Sequence, residues 1–169
     1  MKQTLLIITA LLFITSTVIP QSKVNIKNLV EYGGKMFKQD DDKPYTGRVF
    51  DLYKSTGEKK LDGKYRKGLM NGEWTYYHEN GQIYVQGRFI DGDGSNLSEL
   101  SGIPFNGRTG RWTSWHENGQ KSGEGTYKDG ELDGKWTTWY EKGQKRYEGT
   151  YKDGELIEST EWDKDGNKK

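Results

Sequence analysis

Two histidines, His78 and His116, stand at the same place in a repeated phrase, each just before Glu-Asn-Gly. A recurring imidazole is how a metal site can begin, provided further ligands join it. The third copy of the phrase has Tyr140 there instead, so both histidines are read as strand residues flanking a turn. Asp91-Gly92-Asp93-Gly94-Ser95 has the look of a calcium loop, but Asn96 stands where the sharp-turn glycine belongs and Gly102 where the bidentate glutamate belongs. Asp163-Lys164-Asp165-Gly166-Asn167 has the same flavour, and both stretches are read as ordinary turns. Cysteine is absent, which removes thiol chemistry, disulfides and a lipid-modified cysteine. No Ser, His and carboxylate grouping suggests a nucleophile, and Gly123-Glu124-Gly125 lies inside a strand pattern, where it cradles no phosphate. The chemistry left is that of surfaces. Tyr77, Trp115 and Trp139 recur at matching positions and are the candidate partner-binding residues.

What positions them is a unit of 24 residues. Gly110-Arg111-Trp112, His116-Glu117-Asn118-Gly119-Gln120 and Gly125-Thr126-Tyr127-Lys128-Asp129-Gly130 return one period later as Gly134-Lys135-Trp136, Glu141-Lys142-Gly143-Gln144 and Gly149-Thr150-Tyr151-Lys152-Asp153-Gly154. An upstream copy runs through Gly72-Glu73-Trp74, His78-Glu79-Asn80-Gly81-Gln82 and Gly87-Arg88-Phe89. Such self-similarity marks an architecture in which each unit buries its apolar surface against its neighbours. Asn80-Gly81 and Asn118-Gly119 read as two-residue type I′ hairpin turns, with Lys142-Gly143 and Thr56-Gly57 in equivalent places. The Asp-Gly pairs punctuate the other end of each unit. The expected fold is all-β: an elongated, single-layer antiparallel meander of stacked hairpins, with no parallel pairing required.

Centring the hairpins on those turns sets Trp74 opposite Gly87, Trp112 opposite Gly125, Trp136 opposite Gly149 and Phe50 opposite Gly63. A large ring across a bare strand glycine recovers packing. Alternation then places Trp74, Tyr76, Ile83, Val85, Phe89, Trp112, Tyr127, Trp136, Tyr140, Tyr147 and Tyr151 on one aromatic face. Tyr77, Trp115 and Trp139 fall on the other, more polar face. A single layer leaves aromatic area exposed, and such area marks interaction sites.

Composition narrows the class further. The chain has 169 residues, 31% hydrophobic and 13% aromatic, with 23 glycines, which suits a thin sheet held by ring packing better than a thick core. Residues 1–22 read as a secretory signal peptide: Lys2, then an apolar run from Leu5 to Ile19. Removing it takes away one lysine and no acid, so the formal net charge falls from +1 to 0. A neutral chain gives no electrostatic case for nucleic acid. Residues 23–44 are expected to form an N-terminal capping hairpin around Gly33-Gly34, and 45–169 the repeat domain. Trp74 and Trp112 are one period plus 14 residues apart, so an inserted loop is expected over about 93–106, bulging from one edge.

The units resemble repeats of the membrane occupation and recognition nexus (MORN) type in their bacterial variant form, and are similar to YwqK-type proteins labelled as antitoxins. Lys43-Pro44-Tyr45-Thr46-Gly47 at the entry carries the resemblance, together with the repeated Gly-x-Trp-x-x-Tyr/Trp, Glu-Asn-Gly-Gln and Tyr-Lys-Asp-Gly phrases. The resemblance covers roughly Asn25 onward and implies a protein-binding sheet, with lipid binding claimed for some members. The expectation is an exported, non-enzymatic, cofactor-free binding or scaffold module, periplasmic or extracellular. It would bind a protein, with antitoxin-like neutralisation as one form of that. Envelope attachment through lipid or glycan contacts on the aromatic face is the alternative.

Overall fold

The computed structural model describes residues 22–99 and 101–169, so the signal segment read over 1–22 lies outside the described residues except for Ser22. The chain enters through β1 (Val24–Asn25), a 3-10 turn (Ile26–Asn28) and a hairpin of β2 (Leu29–Tyr32) and β3 (Lys35–Lys38). The meander follows as β4 (Gly47–Leu52), β5 (Lys59–Arg66), β6 (Leu69–Tyr77), β7 (Ile83–Gly92) and β8 (Arg108–Trp115). It continues through β9 (Lys121–Lys128), β10 (Glu131–Trp139), β11 (Lys145–Lys152) and β12 (Glu155–Glu161). From β4 to β12 every strand pairs with its neighbours in sequence. β1 adds at the β4 edge and runs parallel to it, Val24 beside Val49, a parallel pair that the repeat pattern did not anticipate.

The turn chemistry is the reverse of the sequence reading. The type I′ pairs, with both residues at positive φ, are Lys67-Gly68, Asp129-Gly130 and Asp153-Gly154. They close two-residue hairpins in which Lys128 pairs with Glu131 and Lys152 with Glu155. At the other end only the glycine turns positive: Gly81, Gly119 and Gly143 do, and the residues before them do not. There Gly81 N–H donates to His78 O at 3.0 Å and His78 N–H to Gln82 O at 2.8 Å, a three-residue loop. Asn80 is present for its amide. Its Oδ1 accepts from Gln82 N–H at 3.0 Å, and its Nδ2 donates to the Glu117 carbonyl of the next unit at 2.9 Å.

A one-residue bulge beside each of these loops restores the register. Trp74 therefore pairs with Gly87, Trp112 with Gly125 and Trp136 with Gly149, as expected, although through a different turn. The first unit departs from this. Its loop is one residue longer, closed by Gly57 N–H to Tyr53 O, so Val49 faces Gly63 and Phe50 faces Asp62. The bulges also move Ile83 off the aromatic face, since it pairs with Tyr77.

Each tryptophan ring leans toward the preceding strand rather than over its own hairpin partner. A Cβ built on Gly63 would sit 2.3 Å from the Trp74 ring, and one on Gly87 2.1 Å from Trp112. No side chain fits in that space, so glycine is required for the ring to lie against the backbone. The result is a continuous edge-to-face series: Tyr65–Trp74 at 5.2 Å, Trp74–Phe89 at 6.1 Å, Phe89–Trp112 at 5.0 Å, Trp112–Tyr127 at 6.0 Å and Tyr127–Trp136 at 6.2 Å. Each such pair contributes about 0.5–1.5 kcal/mol beyond its buried area.

Over its first half the sheet carries a cover. The β2–β3 hairpin sends Leu29 into the core and bonds the meander through Met36 N–H to Gly68 O at 3.0 Å. The inserted segment folds back instead of bulging outward: Ile103 is buried in the same cluster, with Phe105 packed against it. Arg108 clamps the segment. Its guanidinium lies 4.5 Å from the Trp112 ring centroid and donates to the carbonyls of Ile103 and Pro104 and to the Tyr127 hydroxyl.

Candidate functional site

The outer face, opposite the tryptophan series, is built from rungs two strands apart. In three of the four rungs a carboxylate sits between two cations. Glu124 bonds Arg111 at 2.5 Å and Lys121 at 2.6 Å. Glu148 bonds Lys145 at 2.8 Å and Lys135 at 3.4 Å. Asp62 bonds Arg48 at 2.8 Å and also Lys23. The β6–β7 rung differs, with neutral Gln86 donating to Glu73. Partial burial alone would raise the Glu124 carboxyl, but hydrogen bonds from Arg111 and Lys121 outweigh it and hold the group below the usual range. At Glu148 the Lys145 bond is the leading cause of the same lowering.

At the loop end of each rung stands an aromatic ring, in three cases with a lysine over it. Lys59 Nζ lies 5.3 Å from the Tyr77 centroid, Lys121 Nζ 5.6 Å from Trp139, and Lys145 Nζ 5.1 Å from Trp162. Trp115 has Ile83 in the corresponding lysine place. All four rings are half-buried. Their backbones are tied unit to unit by side chains from the preceding turn. Tyr53 donates to Tyr77 O at 2.6 Å, His78 contacts Trp115 O at 2.9 Å, His116 contacts Trp139 O at 3.0 Å, and Tyr140 donates to Trp162 O at 3.0 Å. A carbonyl only accepts, so each histidine uses a protonated Nε2. The two histidines thus serve as latches that tyrosine can replace, which explains Tyr140 in the third copy.

Tyr77, Trp115 and Trp139 therefore occupy one row but do not converge on one point. Of the three, only Trp139 lines a cleft of about 1150 Å³ at the turn end of β10–β12, shared with Trp162, Tyr140, His116, Arg146 and Glu141. Trp162 and Tyr140 were not among the candidate residues; alternation assigned Tyr140 to the aromatic face, but β10 ends at Trp139, and Tyr140 beyond it turns to the cleft. The signal for Trp162 was present in the sequence, because Trp162 and Gly166 repeat the Trp139 and Gly143 positions. The acidic turns hold their own backbone: Asp93 accepts from Ser95 N–H and Oγ–H, and Asp163 from the N–H groups of Asp165 and Asn167. Among the described residues no three His, Cys, Asp or Glu side chains gather where they could hold a metal ion.

A glycine-spaced aromatic meander with a surface of repeating rungs defines a β-hairpin repeat protein. The family model for the MORN repeat variant matches residues 70–91, 108–129 and 132–153, so these three units are repeats of that variant type. No curated protein matches the chain.

Proposed function

We propose that the protein is an exported, non-enzymatic module that holds a protein partner along the outer face of its sheet, in the periplasm or outside the cell, and neutralises that partner as an antitoxin does. The repeats are consistent with a protein-binding or scaffold role in general. The observation that carries the finer reading is the row of half-exposed rings at Tyr77, Trp115 and Trp139. Lysines over Tyr77 and Trp139 and inter-unit bonds to the backbone carbonyls of all three hold the row, so a partner meets a pre-organised surface and little side-chain freedom is lost on binding. The chain from Lys23 onward, used as bait on envelope extract, should recover one protein in fixed ratio. The Tyr77→Ala, Trp115→Ala, Trp139→Ala triple variant should release it while keeping its strand signal in circular dichroism. Retention of the partner by that folded variant would refute the site.

A further inference from the structure

We infer that the cleft at the turn end of β10–β12 binds a β-1,4-linked oligosaccharide, with two of its sugars stacked on Trp139 and Trp162. Trp139 pairs with Lys145 of β11, and Trp162, just past β12, bonds Arg146 O of the same strand through its N–H, so the backbones that carry the two rings flank β11 about 9.6 Å apart at the usual strand spacing. A β-1,4-linked pyranose chain is extended and turns each sugar over relative to the last, so it presents the same face every second sugar at nearly that distance. An α-1,4-linked chain coils and offers no such match. Both platforms are fixed. Lys121 and Lys145 lie over the rings without being part of the cleft lining, and His116 and Tyr140 bond the carbonyls of Trp139 and Trp162.

The rest of the lining has the chemistry of hydroxyl recognition. Glu141, Asp165 and Arg146 present planar forks of both charges beside the rings, and such forks bond neighbouring hydroxyls in pairs. A peptide anchor would call for an enclosed apolar hole, whereas here charged groups are interleaved with the aromatics. The volume of about 1150 Å³ exceeds the roughly 300–1,000 Å³ of small-ligand pockets, so it suits several linked sugars better than a single one. This site shares Trp139 with the proposed partner-binding row, so it is tested at Trp162 and Arg146, which line the cleft and lie outside that row.

The test is calorimetric titration, with tryptophan emission recorded in parallel, using cellohexaose, chitohexaose and maltohexaose as probes and no protein partner present. At least one β-linked hexaose should bind about ten-fold more tightly than maltohexaose, and Trp162→Ala should weaken it about ten-fold. Arg146→Ala, which alters an exposed side chain, should also weaken binding and serves if the tryptophan variant loses its fold. Equal affinity for maltohexaose would reduce the site to a non-specific surface. Absence of binding to both β-linked probes, or undiminished affinity in the folded Trp162→Ala chain, would overturn the assignment.

Discussion

The same repeat is used twice on the inner face, with different results. Trp112 and Trp136 occupy one repeat position, as do Tyr127 and Tyr151. Under the inserted segment Trp112 is 1% exposed and Tyr127 is buried, whereas Trp136 and Tyr151 beyond it are only half-buried. The sheet ends by a substitution. Ser159 of β12 pairs with Gly149 where earlier strands bring a tryptophan, and the hydroxyls of Tyr147 and Tyr151, 2.9 Å apart, close over that glycine instead. Leu156 and Ile157 follow at 51% and 64% exposure. A local sequence period therefore sets strand, turn and ring position, but burial depends on what a segment outside the period is doing.

The largest test of that contrast is to remove the paired tryptophans. Trp112→Ala should cost about 3–5 kcal/mol, the range for a fully buried large ring. Trp136→Ala at the same repeat position should cost about half as much, because solvent already reaches it. Urea denaturation of both variants measures the difference, and equal losses would mean that the cover adds nothing to the inner face.

Arg108 gives a sharper probe, since it joins cover to sheet. Its burial lowers its affinity for a proton, partly offset by Tyr127, and its bonds run to two carbonyls and a phenol, none of them a carboxylate. Three oxygen acceptors and three ring faces hold the charge in place. Arg108→Met keeps apolar bulk but forfeits charge-assisted bonds worth about 1.5–3 kcal/mol each, against which the relief of a buried charge counts. A net loss of about 2 kcal/mol is expected. Hydrogen exchange should quicken over 93–106 and leave 131–152 unchanged; uniform acceleration along the chain would show that the clamp is global.

These regions also show what could be read in advance. The period, the tryptophan–glycine pairs and the two-sided strands followed from spacing alone. The turns did not, because Asn-Gly is compatible with both a two-residue type I′ turn and a three-residue loop followed by a bulge. The two differ by compensating half-steps that leave the Trp–Gly register intact. Lys142-Gly143 takes the same three-residue course without an asparagine, so the amide bond that Asn80 sends to Glu117, 37 positions on, reinforces the loop and does not decide it. The path of the insertion was likewise unreadable, since Ile103, Phe105 and Arg108 reveal an inward course only once the aromatic face beneath them is known. In the candidate row the repeat position found Trp139, whereas the cleft depended on Trp162 in a degenerate last unit.

Alkaline pH should also affect the covered half. Burial pushes the Tyr65 hydroxyl from 10.0 to about 12. The neutral phenol is the form that the fold favours, so the folded chain holds its proton more tightly than the unfolded one. That stabilisation is complete below pH 10 and is lost as pH rises through about 12. The urea midpoint should fall across that window, and Tyr65→Phe should flatten the fall. An unchanged slope in Tyr65→Phe would place the alkaline sensitivity elsewhere.

The smallest expected effect lies in the turns. Asn80 and Asn118 each tie their own loop and reach the next one, Asn118 through Gln120 N–H at 2.9 Å and Glu141 O at 2.9 Å. The third turn has Lys142, which is exposed and lacks an amide to do either. The backbone there follows the same course, with Gly143 at φ 85° and its N–H bonded to Tyr140 O at 2.8 Å. Lys142→Asn should therefore restore the local bond and stabilise the chain by about 0.5–1.5 kcal/mol, the net worth of a hydrogen bond in water. Asn118→Lys should destabilise it by a similar amount. If Lys142→Asn gave no gain while Asn118→Lys gave a loss, the asparagine would matter only where a complete unit follows. The boundary between the two halves would then lie at the turn between β10 and β11, not at the limit of the cover.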